Sequence, residues 1–210
     1  MCVVISCNKA AKDDKLTSRV ATLPYYNEAS FTPKWLVPGS KDLENFHSIP
    51  AFEFINQEGE KITNRTFSNS IYVTDFFFTT CPGICPKMAE NMALVAKAFE
   101  NDPGVMILSH SVTPSIDSVP LLKAYAMDRS IDAKKWHLVT GDKQKIYDLG
   151  RHAYFVEEDL GKDKSEDDFL HTENFVLIDK NRHIRGIYNG LNKRSVTQLI
   201  ADIKTLQKEG

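Results

Sequence analysis

From Ala51 onward the apolar and polar positions fall into blocks whose period changes along the chain. Phe52-Glu53-Phe54-Ile55-Asn56 alternates in twos, as a strand with one buried face does, and Gln57-Glu58-Gly59-Glu60 predicts the turn that follows. Ile71 to Phe78 is an unbroken apolar run rich in β-branched and aromatic residues, which predicts a buried strand. Met88, Met92, Val95 and Phe99 then recur at helical spacing until Asn101-Asp102-Pro103-Gly104 stops the helix. Val105 to Leu108 predicts a second core strand. Asp117 to Met127 predicts a helix with Val119, Leu122 and Tyr125 or Ala126 on one face, Trp136 to Val139 a strand, and Asp142 to His152 another helix. Phe175 to Ile178 and His183 to Tyr188 predict a hairpin across Asp179-Lys180-Asn181-Arg182. A closing amphipathic helix carries Val196, Leu199, Ile200, Ile203 and Leu206.

Strands alternating with helices, then a terminal hairpin and helix, predict an α/β protein with a central mixed sheet flanked by helices. A cysteine pair at the first core strand-to-helix junction makes the expected fold thioredoxin-like. Residues 8–50 are poorly periodic and hold Pro24, Pro33, Pro38 and Pro50, so they predict a tether and an irregular lead-in, with a short hairpin around Phe31 to Val37. The expected division is residues 1–46 as signal remnant, tether and lead-in, and residues 47–210 as the folded domain. Glu157 to Asp168 carries seven acids against Lys162 and Lys164, and predicts a mobile loop.

Composition narrows the function classes. With 210 residues, 42% hydrophobic and 26% charged, the chain can bury an ordinary core without needing cysteines to hold it together. A net charge of −2 offers no basic footprint for nucleic acid. No segment approaches the roughly 20 apolar residues of a spanning helix. Cys2 and Cys7 stand apart from the other two cysteines, in Met-Cys-Val-Val-Ile-Ser-Cys-Asn. That opening resembles the tail of a bacterial lipoprotein signal, in which the cysteine after a small residue is acylated, although the charged leader and most of the apolar stretch do not precede it. The expectation is a membrane tether through Cys7.

The chemistry lies in Thr79-Thr80-Cys81-Pro82-Gly83-Ile84-Cys85-Pro86. A thiolate is both a nucleophile and a soft metal ligand, so the pair admits disulfide exchange or binding of a soft ion. Pro86 suits a first helical turn, which puts Cys85 where a helix dipole favours a thiolate, with Lys87 as a nearby cation. Structural metal sites usually recruit a second ligand pair, and there is no second CxxC. Two thiolates and one imidazole would suit Cu(I), and the candidate imidazole is His171, just before the strand at Phe175. In thioredoxin-like folds the loop entering that strand approaches the cysteines. Thiol oxidoreductases carry a cis-proline there, whereas this chain has no proline after Pro120. The remaining histidines read as structural (His110, His137) or as surface residues (His47, His152, His183). Met88 and Met92 read as core packing, and Asp75, inside an apolar strand, must be paired if it is buried.

Phe76-Phe77-Phe78-Thr79-Thr80-Cys81-Pro82-Gly83-Ile84-Cys85-Pro86, Ser111-Val112-Thr113-Pro114, Leu138-Val139-Thr140-Gly141, His171 before its strand, and Tyr188-Asn189-Gly190-Leu191-Asn192-Lys193-Arg194 together resemble the SCO/SenC family. These are copper-binding thioredoxin-fold assembly factors of cytochrome c oxidase, and the resemblance runs from about His47 to the C-terminus. It implies that Cys81, Cys85 and His171 are the copper ligands. It also implies a copper metallochaperone that faces the periplasm from a lipid anchor at the bacterial inner membrane. The expected partners are the copper-bearing subunit of a terminal oxidase and a periplasmic copper donor or thiol reductase. A thiol-disulfide reductase acting on a partner's copper-ligand cysteines, with Cys81 and Cys85 as its redox pair, is the alternative; a redox or copper sensor is another. Members of the family often have Asp at the positions of Gly83, Thr113 and Leu170, so this chain departs from them there.

Overall fold

The computed structural model describes residues 17–157, 170 and 172–209. Cys2, Cys7, most of the acidic run and His171 lie outside the described residues. The elements run β1 (Glu53–Asn56), β2 (Lys61–Thr63), β3 (Ile71–Phe77), α1 (Cys85–Ala98), β4 (Val105–Ser111), α2 (Val119–Asp128), β5 (Trp136–Thr140), α3 (Lys143–Asp148), β6 (Asn174–Ile178), β7 (Ile184–Asn189) and α4 (Lys193–Leu206). Among the described residues the strands form one seven-stranded sheet in the order β2-β1-β5-β4-β3-β6-β7. β3, β4 and β5 run parallel, and every other pairing is antiparallel. No described helix is long and apolar enough to cross a membrane.

Strand pleating divides the core in two. Ile71, Val73 and Phe77 face one side, where they pack with α1, α2 and α4 through Met88, Met92, Leu122, Val196 and Leu199. Tyr72 and Phe76 face the other side, beneath Ile146 and Tyr147 of α3, with Phe54 and Leu170. Met88 and Met92 are core residues, as their spacing predicts.

The differences from expectation have local causes. β2 holds one apolar residue among three and leaves almost no periodic signal, yet Phe54 pairs with Ile62 across the predicted turn. β4 continues past Leu108 through Ser109, His110 and Ser111, all buried, because each of these polar side chains finds a polar or aromatic neighbour. The predicted helix from Asp142 to His152 is α-helical only to Asp148 and ends in a π turn, Leu149–Ala153. Gly150 permits that turn, since a Cβ there would lie 2.8 Å from Leu170 and 3.0 Å from Phe76. The lead-in reverses at Phe31, whose φ is 50°, but its bridge joins Tyr25 to Lys34, and Tyr26 bridges to Ile184 at the start of β7.

His183 is not a surface residue. It is buried beside Tyr25 and Phe46, with Nδ1 3.4 Å from Asp179 Oδ2. The hairpin turn and the lead-in close over it, a long-range contact that hairpin periodicity cannot reveal. His47 is half-buried, and its Nε2 stands 2.8 Å from the Ala153 carbonyl oxygen. His152 is exposed.

Candidate metal centre

The seven residues of β3 are all buried, so the strand delivers the following loop at a fixed point at the edge of the core. A turn with Cys81 N–H donating to the Phe78 carbonyl (3.3 Å) starts the loop, and α1 begins at Cys85 with Pro86 in its first turn. Both cysteines are free thiols; Cys81 is half-buried and Cys85 is buried against the α1 face of the core.

The two sulfurs meet, and their environments differ. Burial works against ionising Cys81, but its sulfur receives hydrogen bonds from the Cys85 thiol and from the amides of Cys85, Gly83 and Ile84, which pull it below the ordinary thiol value. Burial, the bond to Cys81, and the nearby Cys81 and Asp75 charges push Cys85 up to about 12, against one opposing amide from Phe78. The first proton therefore leaves Cys81 and the second is resisted. This reverses the expectation that Cys85 would be the favoured thiolate. The free amides at the start of α1 converge on Cys81, one loop earlier in the chain. Lys87 does not assist, since its ammonium is held by Glu90 at 2.7 Å.

Two buried carboxylates support the loop. Asp75 projects from β3 on the α1 side and accepts the Ser109 hydroxyl, and Ser109 Oγ in turn accepts Trp136 Nε1–H at 2.8 Å. Burial pushes Asp75 up to about 7, with Ser109 partly opposing. Asp117, fully buried, accepts from the hydroxyls of Thr79, Ser111 (2.6 Å) and Thr113 (3.0 Å) and from the Thr79 amide (3.2 Å). It ties the Cys81 loop to the segment after β4. Sequence reasoning placed Asp117 only at a helix start; the Ser111, Thr113 and Thr79 hydroxyls are its signal, visible once the two loops are known to be adjacent.

The segment leading into β6 is anchored to the cysteine helix. Asn91 Nδ2 of α1 donates to the Gly190 carbonyl (2.6 Å), and the Gly190 amide donates to the Glu173 carbonyl (2.6 Å). His171 lies outside the described residues, between Leu170 and Thr172, both buried. Two of the three positions where Asp is common in the family resemblance have a structural reason to differ. Leu170 is fully buried in the second core, where a carboxylate would lose its hydration. Thr113 donates to Asp117, which a carboxylate in its place would repel. Gly83 has no such constraint among the described residues, as a Cβ there would meet none of them within 4 Å.

Two of the other described histidines, His110 and His137, are structural. His110 stacks on Phe76 at 4.8 Å and 13°, and burial pushes it down to about 3. His137, also lowered by burial, has Nδ1 3.3 Å from Asn56 Nδ2. The described residues hold no group of three His, Cys, Asp or Glu side chains placed for one ion.

Comparison with known proteins places this architecture. Residues 40–208 match the SCO1/SenC family. A Bacillus subtilis SCO1 protein homolog is 28% identical over 167 residues, 79% of this chain and 85% of the relative. The solved structure of BsSco, described as a member of the Sco family of cytochrome c oxidase assembly proteins with a disulfide switch, is 25% identical. It superposes with a TM-score of 0.64, covering 76% of this chain and 93% of BsSco. Copper-bound Bradyrhizobium japonicum ScoI, at 22% identity and a TM-score of 0.59 over 76% of this chain and 99% of its own, shares the fold.

Proposed function

The chain belongs to the SCO1/SenC family, and from that premise we propose that it is a copper metallochaperone for the copper site of a terminal oxidase. The observation that carries this reading is the meeting of two free thiols at the start of α1, with one sulfur held towards the thiolate by three amides. A soft, low-coordinate ion such as Cu(I) is the cargo that this donor set favours. Cys81 and Cys85 supply two ligands and His171 the third. Copper passes to the oxidase subunit by stepwise exchange through shared thiolates, without substrate turnover. Oxidation of the pair to a disulfide, with two electrons and two protons passing to a partner disulfide, removes both soft ligands and gates loading. Lipidation at Cys7 would hold the domain facing the periplasm at the inner membrane.

The unequal thiols also favour a second reading. A half-exposed Cys81 drawn towards the thiolate, backed by a buried and protonated Cys85, is what a dithiol reductase of a partner's cysteines needs. Anaerobic Cu(I) titration of the reduced full chain beside Cys81→Ser, Cys85→Ser and His171→Ala separates the two. The chaperone reading expects one tightly bound copper per chain, weakened by each substitution. Weak binding that ignores His171, while the cysteines still turn over a disulfide partner, would replace it with the reductase.

A further inference from the structure

The sheet face opposite α1 carries a groove of about 1120 Å³ that the copper reading does not use. Its floor is aromatic: Phe52 and Phe54 stack with centroids 5.8 Å apart and planes 21° from parallel, and Phe52 remains half-buried. Lys61 and Arg65 line it from the β2 side, and Lys145 and His152 line it from α3 and the π turn. Of its two carboxylates, one is ion-paired and the other keeps its charge. Glu53 pairs with Lys61 at 3.0 Å, and Asp148 accepts Gln144 Nε2–H at 3.0 Å. Among the described residues, Arg65 and Lys145 have no side-chain partner and both are exposed. The described lining therefore sets Lys61, Arg65 and Lys145 against Glu53 and Asp148, which leaves a small excess of positive charge around an apolar floor on a chain of net charge −2.

We propose that the groove is a docking site for an acidic peptide segment of a partner protein, anchored by one apolar side chain. The complementarity is specific: carboxylates reach Arg65 and Lys145 at the rim, while the anchor lies on the Phe52–Phe54 shelf. A small inorganic anion would satisfy the cations but leave the aromatic floor wet, and a wholly apolar segment would leave the cations unused. The groove contains neither cysteine, so docking here would hold a partner on the opposite face of the sheet from the thiols and leave them accessible.

The test is nuclear magnetic resonance mapping on the full chain with a short synthetic peptide of Asp and Glu around one Leu, beside its Lys counterpart. The acidic peptide is expected to shift amides within residues 47–54, 61–65 and 145–153, and the Lys peptide to leave them in place. Arg65→Glu with Lys145→Glu should weaken binding at least about tenfold, because each reversal replaces attraction with repulsion. Copper titration of that double variant should match the wild type, which separates failure here from failure of the chaperone reading. Scattered shifts, or an equal response to the Lys peptide, would overturn the proposal. So would a change of oligomeric state in the double variant, which would make a second copy the occupant. Binding that emerges only after the acids between Glu157 and Asp168 are replaced by Ser would likewise overturn it, in favour of the chain's own acidic run.

Discussion

The two ends of the sheet use buried charge in opposite ways. At the end where β6 turns into β7, Arg185 binds Asp179 (3.2 Å), Glu209, and the Leu23 (2.7 Å) and Pro24 (3.1 Å) carbonyls, and it lies 3.9 Å from the Tyr25 ring centre. Burial would raise Asp179, but the His183 ring and amide and the Arg185 charge hold it below the usual carboxylate range. At the cysteine end, Asp75 has one hydroxyl and no cation among the described residues, and burial raises it to about 7. One end is neutralised and sealed by the lead-in. The other keeps an uncompensated carboxyl, two thiols and an exposed Ile84 (38%).

Breaking the sealed end should have the largest effect. Arg185→Ala leaves Asp179 and Glu209 buried without their cation, a loss expected to cost about 3–5 kcal/mol in urea unfolding. Copper binding by the variant that remains folded in the cold should be unchanged, since none of these groups touches the cysteine loop. A copper affinity that fell with stability would show that the two ends are coupled.

The paired aspartates predict opposite pH limbs. Asp179 is depressed, so its contribution is present above the unfolded carboxylate value and lost as pH falls through its folded value. Asp75 is raised, so the stability associated with its neutral form is full below an unfolded value of 3.8 and is lost as pH rises through about 7. That loss is a few kcal/mol, about 4 at most, since each pKa unit is worth about 1.36 kcal/mol. Asp75→Asn should flatten the decline between pH 4 and 7 in denaturation midpoints and leave the acid limb intact. An unchanged decline would mean that Asp75 is not its source.

Much of this contrast was legible in sequence, and the rest was not, for definable reasons. The buried strands, α1 and α4 announce themselves because apolar burial imposes a period. The cysteine loop was legible because its residue types are rare and closely spaced. Asp117, Arg185 and His183 were not, because each works through partners far along the chain: Asp117 through Thr79, Arg185 through Leu23, His183 through Tyr25. Which thiol ionises first was also hidden, since amide direction around Cys81 depends on the loop's path and not on the CxxxC spacing.

A smaller effect is expected where the cysteine loop is tied down. Asp117→Asn would face the Thr79 amide and three hydroxyls with one acceptor fewer, and should cost about 1–3 kcal/mol. Because Thr79 lies two residues before Cys81, copper affinity should fall with it, by about tenfold if the lost bond is worth about 1.4 kcal/mol in placing that sulfur. Stability that falls while affinity holds would make Asp117 a fold residue alone.

The smallest expected effect on stability is the sharpest test of openness at the cysteine end. At Gly83 a Cβ would meet no described residue within 4 Å, and the glycine is not in the left-handed region that favours it. Gly83→Asp should therefore change unfolding free energy by no more than about 0.5 kcal/mol, as surface substitutions generally do. Its charge would stand beside a sulfur that the amides of Gly83, Ile84 and Cys85 draw towards the thiolate, and like charge opposes that pull. The Cys81 thiol should consequently titrate at higher pH than in the wild type, by thiolate absorbance, while the added hard oxygen donor should strengthen Cu(II) binding relative to Cu(I). A large loss of stability would mean that the loop is closed where it reads as open. An unmoved thiol would mean that solvent screens the carboxylate from Cys81, and the amides alone would then set its ionisation.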